Sequence, residues 1–237
     1  MRKIALTAGH YKYTAGKRIP KKLDKNETRE WVLNDRICDK IEKKLNAFEG
    51  YELFRTDDTT GEKAISVEDR AAAANKFGAE VYISVHHNAG IDGGTGGGIV
   101  AYTYLQVDEE TEAWQKELYD ALIKHTGLKG NRAQPLAKAD LAECRLTAMP
   151  AVLLECGFMD SATDSKIILT EKYADSCAEA IVEVLVKKLG LKKKPVAAEV
   201  KKHYRVQVGY FSKKENAEKL AAELKSKGYS AIIKEEK

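Results

Sequence analysis

Short apolar runs alternate along this chain with segments whose apolar residues recur every three to four positions. That alternation limits the fold more than any other feature. Ile4–Ala8 is an apolar run ending in Gly9-His10. After a polar, Lys-rich loop to about Glu27, the stretch Glu30–Leu45 carries Val32, Leu33, Ile37, Ile41 and Leu45 at helical spacing. Gly50 ends it and Tyr51–Arg55 reads as a second strand. Ser66–Phe77 reads as a helix, with Ser66 as N-cap and Asp69 three residues on. Glu80–Val85 and Ala151–Glu155 have the composition of buried strands, and Ile99–Tyr104 is a further strand. Helices are predicted at Asp108–Lys124 and Tyr173–Leu189. Strand and helix in alternation predict an α/β fold, with a mainly parallel twisted sheet flanked by helices.

Gly190 stops the last of these helices, and Leu191–Lys202 has charge and proline but no regular period, so it reads as a linker. Beyond it, Tyr204, Val206 and Val208 alternate with Arg205, Gln207 and Gly209, as in a strand. Lys213–Lys227 carries a stripe of Ala217, Leu220, Ala221 and Leu224, and Tyr229–Ile233 follows as a second strand. The expected organisation is a body at 1–190, a linker at 191–202 and a small βαβ unit at 203–237. At about 35 residues that unit is shorter than the ~40 at which a domain folds without help.

Charge divides along the same line. From Lys187 onward there are 15 Lys and Arg against 6 Asp and Glu, so the tail carries +9 and the body −5 of the chain's net +4. A basic tail suggests a polyanionic partner, although a charge run by itself reads first as a solvated linker and helix face. No run approaches the ~18 apolar residues of a membrane span, so none is expected. MRKIALTAGH lacks the apolar stretch of a secretory leader, which predicts synthesis in the cytoplasm and reduced thiols at Cys38, Cys144, Cys156 and Cys177. No C-x-x-C pair is present. Cys156 should face away from its neighbour Glu155, into the core. The loop Asn88–Gly98 holds six glycines but leads into a strand and lacks Gly-Lys-Ser/Thr, so it reads as a flexible rim rather than a nucleotide-binding loop; separately, no nucleic acid partner is expected.

Residues able to do metal or acid–base chemistry fall where strands end: His10, His86 and Glu155. The carboxyl ends of strands in an open α/β sheet form its ligand crevice. Two imidazoles and a carboxylate suit Zn²⁺ with one coordination position left for water. Adjacent side chains on a strand point apart, so only one of His86 and His87 can face the crevice. A further carboxylate ligand could come from Asp24, Glu27 or Glu30, all near the start of the first helix. His125 and His203 read as surface or capping residues.

Six segments resemble the zinc-dependent N-acetylmuramoyl-L-alanine amidases of phage endolysins and bacterial autolysins. IALTAGH at 4–10 matches the family's first strand, and EWVLN at 30–34 its Glu followed four residues on by Asn. Arg55-Thr56-Asp57-Asp58 resembles its Thr-Arg…Asp region with the first pair reversed. RAAAAN at 70–75, SVHHNA at 84–89 and MPAVLLECGF at 149–158 follow in the family's order. The resemblance spans roughly residues 1–189. It implies zinc ligands at His10, Glu30 and His86, a catalytic glutamate at Glu155, and peptidoglycan as substrate. The bond cut would be the amide between N-acetylmuramic acid and the L-Ala of the stem peptide, attacked by a zinc-activated water. The alternatives are a zinc peptidase acting on the stem peptide and an inactive wall-binding protein.

Residues 203–237 resemble half of a SPOR domain through Tyr204, Val206, Gln207, Gly209 and Phe211. The full domain has two such halves and binds septal peptidoglycan stripped of stem peptides. One half alone leads to the expectation that the tails of two chains pair as a homodimer; the other reading is a lone unit docked on its own body. A wall substrate with no leader implies release through a holin pore, as for a phage lysin, or at cell lysis, as for a mother-cell autolysin.

Overall fold

The computed structural model describes residues 1–195 and 204–235. The chain divides into two units, Met1–Lys194 and Pro195–Lys237. The first contains, in chain order, β1 (Arg2–Ala8), α1 (Glu30–Leu45), β2 (Phe48–Glu49), β3 (Tyr51–Arg55), α2 (Val67–Phe77), β4 (Val81–Asn88), β5 (Ile99–Thr103), α3 (Glu109–Thr126), β6 (Leu136–Lys138), α4 (Ala142–Arg145), β7 (Ala151–Phe158), α5 (Asp164–Ile168), α6 (Glu171–Leu189) and β8 (Lys192–Lys193). Six strands form one sheet in the order β3-β1-β4-β7-β5-β6. β3, β1, β4 and β7 are parallel; β5 turns antiparallel to β7 and carries β6 with it. The mainly parallel α/β sheet expected from the alternation is thus present.

The central strands are buried on both faces, which is why they read as continuous apolar runs. Strand alternation sorts their side chains into two cores. Ile4, Leu6, Val81, Ile83, Val85, Val152, Leu154 and Cys156 pack with α1, α3 and α6, whereas Ala5, Tyr82, Ala151 and Leu153 pack with Ala74 of α2 and Cys144 of α4. Along α1, Leu33, Ile37, Ile41 and Leu45 are essentially inaccessible. Each such side chain contributes about 1.5–3 kcal/mol of burial free energy.

Helix ends follow their sequence signals. Ser66 caps α2 by accepting from the Asp69 N–H at 3.0 Å, and Asp108 and Thr170 do the same for α3 and α6. α1 has no side-chain cap; the N–H of Glu30 donates instead to the carbonyl of Lys17 at 3.1 Å. All four cysteines are buried and free, and Cys156 lies in the core opposite Glu155. Leu191 is buried, and Lys192–Lys193 pair with Phe48–Glu49, so the first unit extends four residues past Gly190 into the segment read as linker.

The glycine-rich rim corrects its sequence reading, because it is pinned rather than free. Asp160 Oδ2 accepts from the N–H groups of Gly90, Ile91 and Asp92, each at 2.8 Å. Asp164 Oδ2 accepts from Gly98 at 2.7 Å. Two carboxylates after β7 thus order a loop whose own sequence carries little to order it.

In the second unit, α7 (Lys214–Ser226) forms where the stripe predicts it. The flanking segments differ from the expected βαβ pattern. Residues 204–211 and 229–233 join no strand ladder among the described residues. Tyr204, Val206, Tyr210 and Ile232 are 80–85% exposed, and no residue of α7 is fully buried. A lone strand–helix–strand has no neighbouring strand to satisfy its edges and too little apolar surface to hold them. His203 and most of the segment read as linker lie outside the described residues.

Candidate active site and metal centre

β1, β4 and β7 end side by side, and the residues expected to carry chemistry collect there. The N–H of Gly9 donates to the carbonyl of Val85 at 2.9 Å, which ties the exit of β1 to β4. His10 then adopts φ +69°, a left-handed conformation that a non-glycine residue holds only under constraint. Arg70 supplies that constraint from α2. Its guanidinium donates to the carbonyls of His10 (2.7 Å), Ala8 (2.9 Å) and Ile65 (3.1 Å) and to the Thr7 hydroxyl (3.1 Å). Gly9 has no room for a side chain, since a Cβ there would stand 2.0–2.4 Å from the His86 ring.

Glu30, the first residue of α1, is fully buried. Its Oε1 lies 3.2 Å from Nε2 of His10 and 3.2 Å from Nδ1 of His86, and accepts from the His87 N–H at 3.2 Å. The Lys17 ammonium stands 3.4 Å from Oε2. Burial alone would raise the Glu30 carboxyl, but the two imidazoles outweigh it and hold it far below the usual carboxylate range. Burial likewise opposes charge on His86, yet Glu143 and Glu30 lift its imidazole to about 10.

Sheet parity separates the two adjacent histidines. His87 points to the α1 side, where its Nδ1 donates to Asn34 Oδ1 at 2.8 Å. Asn34 also donates to the carbonyl of Gly9 at 3.1 Å. Burial pushes the His87 imidazole down to about 3, so it stays neutral. His86 points to the opposite side, with Ser84 and Glu155. Glu155 is the register partner of His86 across the β4–β7 ladder, and the register shifts immediately after that pair. Such an irregularity beside a site re-aims the chain that follows it. Burial raises the Glu155 carboxyl to about 7; His86 lowers it and Glu30 raises it by smaller amounts.

His10, Glu30 and His86 offer ligand-type atoms that all lie within 4.8 Å of one another. Nε2 of His10, Oε2 of Glu30 and Oε2 of Glu155 are buried here without a hydrogen-bond partner. Native proteins rarely leave such atoms unpaired, and two imidazoles with a carboxylate form a donor set suited to zinc. The residues present therefore fit a metal ion. Asp24 and Glu27 stand outside this group. Asp24 accepts from Thr28 and Asn26 in its own loop, and Glu27 pairs with Arg18 at 3.2 Å. His125 pairs with Glu183 at 2.7 Å on the surface of α3.

Glu143 is a buried carboxylate beside this group that sequence reasoning did not single out. It sits in a four-residue helix with no motif around it, so nothing in the local sequence marks it.

A two-sided α/β sheet that gathers these donors and a carboxylate of raised pKa at its strand ends is a framework suited to metal-assisted hydrolysis. More particularly, the chain belongs to the N-acetylmuramoyl-L-alanine amidase family, which its residues 4–187 match; residues 200–237 match the SPOR domain. It is 32% identical over 188 residues to the sporulation-specific N-acetylmuramoyl-L-alanine amidase of Bacillus subtilis, covering 79% of this chain and 69% of that one. It is 34% identical over 134 residues to the endolysin of Bacillus phage SPP1, covering 56% and 49%. The chain thus spans about half to seven tenths of these relatives' own lengths. The crystal structure of an N-acetylmuramoyl-L-alanine amidase from Clostridium difficile 630 superposes with a TM-score of 0.71 at 25% identity, covering 80% of this chain and 97% of that one.

Proposed function

We propose that the chain is a peptidoglycan hydrolase that cuts the amide between the lactyl group of N-acetylmuramic acid and the L-Ala of the stem peptide, using zinc. Residues 1–194 do the chemistry, 195–202 link, and 203–237 bind the cell wall. The observation that carries this reading is the convergence of His10, Glu30 and His86 beside Glu155 at one end of the sheet.

His10, Glu30 and His86 would hold the zinc ion. When bound it supplies Lewis acidity toward the scissile carbonyl and lowers the pKa of water. Glu155 does the proton work. Its carboxyl is raised to about 7, so near neutral pH it can both accept and return a proton. It takes one from the attacking water as the water oxygen bonds to the carbonyl carbon. It returns that proton to the nitrogen as the C–N bond breaks, leaving a lactyl carboxylic acid and a free L-Ala amine, and the acid's remaining proton then passes to the amine or to solvent. No side chain need act as nucleophile, and the thiol nearest in sequence, Cys156, is buried in the opposite core.

For the tail, net charge and the SPOR match support peptidoglycan as partner. The exposed Tyr204, Val206 and Tyr210 support pairing of two tails as a homodimer. Among the described residues no helix is long and apolar enough to cross a membrane. The endolysin among the relatives supports action at the wall after release through a holin pore or at cell lysis.

Digestion of purified peptidoglycan, with products read by mass spectrometry and amino-terminal labelling, tests the proposal. New L-Ala amino termini without new reducing sugars are expected. New amino termini on any other residue would make the enzyme a stem-peptide peptidase instead, and no release with binding intact would make it a wall-binding protein.

A further inference from the structure

Glu143 is 5% exposed and lies on α4, against the face of the sheet that carries Ser84 and His86. Its Oε2 accepts from the Ser84 hydroxyl and stands 3.7 Å from Nε2 of His86. The other ring nitrogen, Nδ1, faces Glu30 at 3.2 Å. The imidazole is therefore bracketed: one nitrogen looks into the His10–Glu30–His86 group and the other looks away from it, toward Glu143.

A carboxylate in this position needs polar partners. Removing the carboxylate from water costs several kcal/mol even after relaxation. Arg70 is one such partner, as a buried cation at the long end of ion-pair range. Its Nη1 is 3.9 Å from Glu143 Oε1, and its guanidinium is already engaged by four neutral oxygens at 2.7–3.1 Å. The Ser84 hydroxyl would be equally satisfied by an uncharged acceptor. Oε2 faces one more group, Nε2 of His86, a buried ring nitrogen with no hydrogen-bond partner of its own.

We infer that Glu143 is a positioning residue for the metal centre: it keeps the His86 proton on Nε2, leaves the Nδ1 lone pair free for the metal, and holds the ring against rotation. An imidazole binds a metal through one nitrogen only if its proton resides on the other, and a carboxylate at that second nitrogen fixes the tautomer and raises ligand basicity. Ser84 orients Glu143 in turn, so β4 contributes both the ligand and the group that aims the ligand's support. The inference rests on the reading of His10, Glu30 and His86 as metal ligands.

Zinc affinity of the full-length, metal-free chain, measured by competition with a chromophoric chelator, tests it for wild type, E143Q, E143A and S84A. The visible spectrum of the Co²⁺-substituted proteins and the urea midpoint of the metal-free proteins accompany it. E143Q should bind zinc roughly 10–100-fold more weakly, E143A at least as weakly, and S84A should lose less in the same direction. The Co²⁺ bands should shift while the metal-free midpoint of E143Q stays near wild type, a pattern that a merely structural role would not produce. Zinc affinity and Co²⁺ spectra of E143Q and S84A indistinguishable from wild type would overturn the inference alone. A wild-type chain that binds no zinc would overturn the metal-centre reading and this inference with it. Should E143Q fail to fold, S84A decides by the same criteria.

Discussion

Gly9 and Glu155 show how much of the site rests on single side chains. The His86 ring occupies the space a Gly9 Cβ would need. Gly9→Ala must therefore displace the ring, and a shift of about 1 Å in a catalytic group costs roughly 10²-fold in rate. Activity of that variant on soluble muropeptides should fall accordingly, with its far-UV spectrum unchanged. Glu155→Gln should lose roughly 10²–10⁴-fold in cleavage while still binding sacculi, as measured by pull-down. The pH dependence has a definite sign. Burial raises the Glu155 carboxyl from 4.5 to about 7, and only the ionised form accepts a proton. kcat/KM should therefore rise with pH up to about 7 and level above it. A profile flat from pH 5 to 9 would remove Glu155 from the role of base.

At the scale of elements, the architecture was legible and its fastenings were not. The runs Ile4–Ala8, Glu80–Val85 and Ala151–Glu155 announced buried strands because a sheet covered on both faces is apolar at every position. Parity also explains a choice that residue types alone left open. His86 and His87 differ only in which face of β4 they occupy, and register with Glu155 puts His86 on the site's side. Long-range hydrogen bonds escaped the sequence because they join residues far apart along the chain. Asn75 clasps the segment before β7 through Leu146 and Ala148, and Asp160 ties down a rim that its glycines alone describe as loose. β6, α4 and α5 were equally silent, being too short to show a period. Asn34 is the fastening with the plainest consequence. Asn34→Ala removes the acceptor of His87 Nδ1 and the donor to the Gly9 carbonyl together. Leaving those buried groups unpaired should cost about 1–3 kcal/mol, read as a lower urea midpoint at unchanged slope.

Taken as a whole molecule, the chain joins a body of −5 to a tail of +9. The body closes its own core, whereas the tail leaves large apolar side chains in water. Ending the chain after Lys194, where the first unit ends, should leave cleavage of soluble muropeptides intact while weakening binding to sacculi. Light scattering should find the truncated chain monomeric and the full chain dimeric; a monomer in both cases would rule out pairing of the tails. Above these rests the claim that a metal held by His10, Glu30 and His86 is required for hydrolysis. Zinc titration into the metal-free full-length enzyme, following release of stem peptides with new L-Ala amino termini, tests it most directly. Activity should be absent at the start, rise linearly and saturate at one equivalent of zinc. A metal-free enzyme that already works at its full rate would contradict the account.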